Sequence, residues 1–193
     1  YSLSSCWNSG RHTCGREMLA EIRALGFEYA ELSHGIRLGL LPGIFEAVEA
    51  GEIKISSLHN FRPLTIGVLH PAPNLFKFTA LDRRERDSAW KHTLKTLDTA
   101  ARVKAQLVVL HMGAVDLKAR SWGFRAVPDY TDQLLDLVEA GKRETPKYEK
   151  LLAEALEKRE AQKEPHVQVA YAFLHSLAEE ASKRGLRLGI ENR

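Results

Sequence analysis

Apolar and polar positions along this chain follow two rhythms that take turns. Short apolar runs at 28–33, 53–59, 107–113 and 186–191, with a weaker one at 2–7, have the length and β-branched content of buried strands. Between them the apolar residues recur three or four apart. Met18, Leu19, Ile22 and Leu25 predict a helix over 16–25 that Gly26 stops, and a second helix over 44–50 ends at Gly51. Trp90, Leu94, Leu97 and Ala101 form one stripe of a helix over 84–105. Further helices are predicted over 130–140, over a charged stretch at 147–163, and over 167–184, where Phe173, Leu177 and Ala181 are apolar. Thr145 and Pro146 read as the N-cap and first position of the charged helix. Pro63, Pro71 and Pro73 keep 60–82 irregular, and 114–129 reads as a loop containing Trp122 and Pro128.

Strand followed by helix, five strands in all, predicts an α/β domain with a parallel sheet. No G-x-G-x-x-G follows the first strand, which argues against a dinucleotide-binding sheet. The strand ends point instead to a barrel. One run ends on His59, another on His111 and the last on Glu191, while Glu31 lies near the end of 28–33. Side chains alternate along a strand, so His111 shares a face with Val109, Glu191 with Gly189, His59 with Ser57 and Glu31 with Tyr29. Leu110 and Val108, Ile190 and Leu188, Leu58 and Ser56, and Leu32 and Ala30 fall on the other face, toward covering helices. Four polar tips directed into one mouth fit a metal or acid-base site at the C-terminal end of a (β/α) barrel. A complete barrel has eight strands. This reading therefore takes 1–193 as the N-terminal portion of one TIM-barrel-type domain, with a helical insertion around 114–185. It also expects the native polypeptide to continue past Arg193, since the strand carrying Glu191 would otherwise expose an unpaired edge.

Composition narrows the class without changing the fold. With 44% hydrophobic and 27% charged residues the chain reads as globular. No apolar stretch approaches the roughly eighteen residues a bilayer requires, and no signal-peptide pattern is present. Two cysteines, Cys6 and Cys14, make no disulfide framework, so a cytoplasmic protein is expected. The net charge of +3 neither demands nor excludes an anionic partner.

The residues of the four tips resemble the xylose isomerase-like TIM-barrel superfamily, which holds sugar isomerases, sugar phosphate epimerases and endonuclease IV. The resembling segments are Phe27-Glu28-Tyr29-Ala30-Glu31-Leu32, Ser57-Leu58-His59, Val109-Leu110-His111-Met112-Gly113 and Leu188-Gly189-Ile190-Glu191-Asn192. The resemblance implies that Glu191 is a divalent-metal ligand and that His59 and His111 line the site, as zinc ligands in endonuclease IV-like members. Against that nuclease pattern, His59 is followed by Asn60-Phe61 and His111 by Met112.

The expected activity is a metal-dependent isomerase or epimerase of a small sugar or sugar-phosphate-like substrate, moving a proton through an enediolate. In that reading Glu191 and Glu31 are catalytic, and Glu191, His111 and His59 hold the metal, whether Mn, Zn, Mg or Co. Trp7, His59, Phe61, His111, Trp122 and Asn192 meet the substrate. The partner is a small molecule rather than nucleic acid or a membrane, and a homo-oligomer is compatible. The alternative is an endonuclease IV-like phosphodiesterase, in which Arg62, Arg83, Arg84, Arg86, Arg120 and Arg125 would meet DNA phosphates. A third reading is a non-catalytic barrel that binds a partner along its open edge.

Overall fold

The computed structural model describes residues 1–64, 67–68, 72, 74–117 and 129–191. Trp122, Asn192, Arg120 and Arg125, named above for a site, lie outside the described residues. Five strands, β1 (Ser2–Ser4), β2 (Tyr29–Leu32), β3 (Lys54–His59), β4 (Leu107–His111) and β5 (Arg187–Glu191), form one sheet in sequential order. Every neighbouring pair is parallel. Five helices connect or flank them: α1 (Gly15–Ala24), α2 (Leu41–Glu49), α3 (Arg83–Arg102), α4 (Tyr130–Glu139) and α5 (Pro146–Lys183). This is the incomplete parallel α/β sheet expected from the strand-helix order, and sequential parallel order is how a barrel is built up.

The outer face of the sheet carries the core. Ala30, Leu32, Ile55, Leu58, Val108 and Leu110 are buried against Met18, Leu19 and Ile22 of α1, Ile44 of α2, Leu97 of α3 and Leu177 of α5. Each leucine, isoleucine, valine or methionine side chain among these contributes about 1.5–3 kcal/mol on burial. Ile190 of β5 is the exception at 59% exposed. In α3 it is Ala100, not Ala101, that is buried beside Leu97, and Thr93, Thr96 and Thr99 are buried on the same helix. The stripe is thus rotated slightly from the predicted one.

Three elements differ from the sequence reading. The segment 2–7 is a strand only to Ser4; Ser5–Trp7 closes into a 3-10 turn because the Ser4 hydroxyl accepts from the Cys6 N–H. The helices expected at 147–163 and 167–184 are one, α5, running through Pro165. Proline normally breaks a helix by removing a donor and crowding the preceding turn. Here the next residue, His166, is 4% exposed and its Nδ1 hydrogen-bonds the Thr79 carbonyl at 2.7 Å, so tertiary contact holds the helix immediately after the proline. The Thr145 cap holds as expected, its hydroxyl accepting from Tyr148 N–H at 3.3 Å with Pro146 following.

The third difference is in β3. Ala30 pairs with Ile55 but Glu31 pairs with Ser57, so Ser56 is an extra residue, a β-bulge. The Ser56 hydroxyl bonds the Ser2 hydroxyl at 2.8 Å and donates to Ala30 O at 3.2 Å, while Ser57 donates to Glu31 Oε2 at 3.1 Å. Both serines therefore face inward, and Ser56 does not join Leu58 on the outer face as strict alternation predicts.

Candidate metal centre at the strand ends

The tip of β3 is positioned by α3. Asn60 extends the pairing with β4 through its N–H to Val109 O at 2.9 Å. Its side chain is buried between two threonines, donating to Thr93 Oγ1 at 2.8 Å and accepting from Thr96 Oγ1 at 2.7 Å. The Arg62 N–H then donates to Thr96 Oγ1 at 2.7 Å. Arg62 itself is 1% exposed, its guanidinium donating to Leu32 O and Phe61 O, both at 3.3 Å. Burial pushes its pKa down to about 9, which still leaves it charged at neutral pH. This corrects the phosphate-meeting role expected for Arg62: its charge is inside the protein, tying the exits of β2 and β3 together. Of the other described arginines of that set, Arg86 caps Ala80 O at 2.7 Å and Arg83 pairs with Asp87 at 3.6 Å.

The four predicted tips do converge. His59 Nε2 is 2.9 Å from Glu191 Oε2, and its Nδ1 lies 3.3 Å from Glu31 Oε2. His111 Nε2 comes within 3.5 Å of the same Glu191 oxygen. Glu191 stands directly opposite His111 in the β4–β5 register. His111 is buried at 5%, His59 is 13% exposed, and Glu191, on the edge strand, is 50% exposed.

Electrostatics bind this set together. Burial alone would lower the His59 pKa, but hydrogen bonding to Glu31 and Glu191 and their charges outweigh it and raise it above the ordinary value. Burial likewise works to raise the Glu31 pKa, and His59, Ser4 and Ser57 more than reverse it. The Glu191 pKa is lowered, first by its bond with His59.

Sequence reasoning missed His34. Its ring centroid is 4.8 Å from that of His59 and 5.3 Å from that of His111, and the latter two are 5.7 Å apart. Alternation would have sent His34 to the outer face with Leu32. The chain has already left the strand, however: Ser33 is buried with its N–H on Ser5 Oγ at 2.9 Å, and Gly35 turns at φ 105°. That φ favours glycine, and a His-Gly pair just past a strand end is the signal that would have found it.

One nitrogen from each of His34, His59 and His111 lies within 4.8 Å of the others. A tetrahedral ion with Zn–N bonds of about 2.1 Å sets its donors about 3.4 Å apart, so a small inward movement of the rings would suffice. With the Glu191 carboxylate beside them, the donor chemistry fits zinc, manganese, cobalt or iron. Two of the other proposed contacts are engaged by neighbouring side chains. The Trp7 ring is 48% exposed and lies under the Arg11 guanidinium at 4.2 Å. Phe61 is buried at 4%, with Phe76 and Phe78 at 5.4 and 6.0 Å between ring centroids.

No family model matches the chain, and no curated protein matches it either. Solved structures do. A D-tagatose 3-epimerase-like protein superposes over 99% of this chain with a TM-score of 0.57 at 13% identity. A D-allulose 3-epimerase from Methylomonas sp. covers 98% with a TM-score of 0.58 at 10% identity, and a candidate xylose isomerase from Rhodospirillum rubrum covers 97% with 0.56 at 14%. The chain shares its parallel β/α fold with these structures. At such identities the likeness concerns the fold. The chain spans about half the length of these three structures, 52%, 50% and 52% of them respectively. Among the described residues no helix is long and apolar enough to cross a membrane.

Proposed function

We propose that this protein is a divalent-metal-dependent isomerase or epimerase of a small sugar or sugar-phosphate-like substrate, transferring a proton through an enediolate. The observation that carries the reading is His59 held between two carboxylates, Glu31 and Glu191, at the strand ends, with His111 and His34 against it. Neighbours that share the fold and are sugar epimerases support it, one of them solved in complex with D-allulose. The phosphodiesterase alternative gains no support from these neighbours, and the burial of Arg62 counts against it. Residues 1–193 are read as part of one such domain, with 114–185 as its helical insertion.

In this proposal Glu191, His59, His111 and the added His34 would hold the ion. When bound, it would supply Lewis acidity to adjacent substrate oxygens. The chain's own groups do the rest. Glu31, fixed by Ser57 and by the bulge that brings Ser57 opposite it, lies 3.3 Å from His59 Nδ1, and its charge helps to set how that ring is oriented. Glu191 is ionised at neutral pH and half exposed, so it can reach substrate and take the proton beside its carbonyl. Its lowered pKa makes it a weak base while it faces His59. Turning His59 away would raise its basicity.

The decisive experiment titrates the full-length polypeptide with Mn(II) and Zn(II) by calorimetry. It then follows deuterium uptake from solvent into D-allulose by NMR. The reading predicts a single strong site, and exchange that depends on the metal and disappears in Glu191→Ala. Metal binding unaffected in Glu191→Ala would refute it.

A further inference from the structure

A cavity of about 560 Å³ is distinct from the cleft at the strand ends. The long β3–α3 connection divides the two. Asn74 and Lys77 line the cleft at His111 and Glu191, whereas Asp82 lines this cavity, together with Glu85 of α3, Asp116 beyond β4, and Lys158 and His166 of α5. Its walls are fastened through Thr79, whose N–H donates to Met112 O at 3.2 Å and whose Oγ1 donates to Ala114 O at 2.7 Å, while His166 Nδ1 bonds its carbonyl.

Free acceptors collect in this cavity. A carbonyl can only accept, so His166 Nδ1 carries the proton of its bond to Thr79, and in the neutral ring Nε2 is a bare acceptor. That nitrogen has no partner among the described residues, although His166 is 4% exposed and its ring borders the cavity. The preceding residue, Pro165, has no N–H to give the Ala161 carbonyl one turn back, and both residues lie on the same wall. Asp82 and Glu85 are each half used. Asp82 Oδ1 caps α3 by accepting from the N–H groups of Arg84 and Glu85 at 2.6 and 3.2 Å, and Glu85 Oε1 accepts from Lys77 N–H at 2.9 Å. The second oxygen of each has no partner among the described residues. The nearby cations are already committed: Lys158 donates to Leu117 O at 3.0 Å, Arg86 donates to Ala80 O at 2.7 Å, and Lys77 pairs with Asp116.

Such a set recognises a cation rich in donors. A single metal ion is too small for it. Among the described residues, only the histidine trio at the strand ends brings three His, Cys, Asp or Glu ligand atoms within 4.8 Å of one another. Acceptors spread along a cavity call instead for several N–H groups on one extended molecule, each making a charge-assisted bond.

We infer that this cavity binds a linear di- or polyamine, whose ammonium groups are shared between the second oxygens of Asp82 and Glu85 and the Nε2 of His166. The site stands apart from the metal centre and does not depend on the sugar reading. The test titrates the full-length polypeptide with spermidine by calorimetry at about 0.15 M salt, where diffuse attraction to surface carboxylates is screened. One spermidine should bind per chain, and Mg(II) at equal concentration should fail to displace it. His166→Asn can keep the bond to the Thr79 carbonyl through its amide while removing Nε2. It should weaken spermidine binding by about tenfold, the usual size for a hydrogen bond to a charged group. Asp82→Asn, which still caps α3, and Glu85→Gln, which can still accept from Lys77 N–H, should each weaken it by a similar factor. All three variants should bind Mn(II) at the strand ends like wild type. A wild type that does not bind spermidine would overturn the inference, as would displacement by Mg(II). So would spermidine binding unchanged in Asp82→Asn and Glu85→Gln, the pair that decides the matter if His166→Asn does not fold. Loss of Mn(II) in those two variants would place the amine at the metal centre and overturn it as well.

Discussion

Two carboxylates of this molecule each face a histidine, yet they are arranged for opposite ends. Glu21 of α1 accepts from Arg11 at 2.7 Å, from Asn8 at 2.9 Å and bonds His12 at 2.7 Å. Those bonds, Arg11 first, hold its pKa at about 2. Asn8 is itself buried and donates to Met18 O at 2.9 Å, so the whole set is a clip fastening the turn after β1 to α1. Glu191 has one close bond, to His59, and a looser approach from His111, and it sits half exposed on an edge strand. What separates a clip from a prospective ligand is not the residue pair but how much of the oxygen's accepting capacity is already used.

The contrast predicts unequal consequences. The largest should follow Glu191→Ala, where Mn(II) or Zn(II) affinity falls by about 100-fold or more, since a charged donor is lost rather than an orienting partner; calorimetry that finds no change would erase the distinction. Glu31→Gln should weaken metal binding by about tenfold, because the amide cannot orient His59 as an anion does. Rescue of that variant at high pH would instead locate the defect in protonation.

The next difference is in pH. The His59 pKa is raised by folding, so in the metal-free protein its pairing stabilises fully below the unfolded value near 6.5 and is lost as pH rises through the higher folded value. Metal affinity runs the other way, since the proton must leave: it should climb up to about tenfold per pH unit below that folded value and level off above it. Imidazole NMR titration and calorimetry between pH 5.5 and 8.5 would show the two trends crossing. Glu21 has the opposite sign. Its contribution is present above about 4.5 and disappears as pH falls toward 2.

The smallest effect on the site should come from Glu21→Gln, with metal affinity within about twofold of wild type and a lower melting temperature at pH 7. Wild type and variant should converge in melting temperature as pH falls toward 2, because both then lack the charge. A variant that loses metal would mean that the clip and the mouth are coupled.

Much of this was legible in the sequence. Period-two alternation in β4 and β5 placed His111 and Glu191 together, and helical spacing located the α-helices among the described residues, apart from the junction at Pro165 and the first turn of α2, which starts at Leu41 rather than at Ile44. What escaped depends on contacts between distant segments. His34 reaches the cluster because Ser5 holds Ser33 past the end of β2. Arg62 is buried because the carbonyls of Leu32 and Phe61 face inward to receive it. No local pattern encodes either. The edge position of Ile190, apolar yet exposed, is likewise a property of the sheet and not of β5 itself.

The bulge at Ser56 has a consequence for how such a site can drift in evolution. Counted in steps of two from the outward Ile55, His59 would fall on the outer face, among the core residues; the extra serine resets the count. A descendant lacking Ser56 would have a strictly alternating β3 in which Leu58 still faces the helices and His59 still faces the mouth. The strand can therefore gain or lose one residue at its middle while its tip stays in place, and the length of β3 is free to vary without disturbing the histidine it presents.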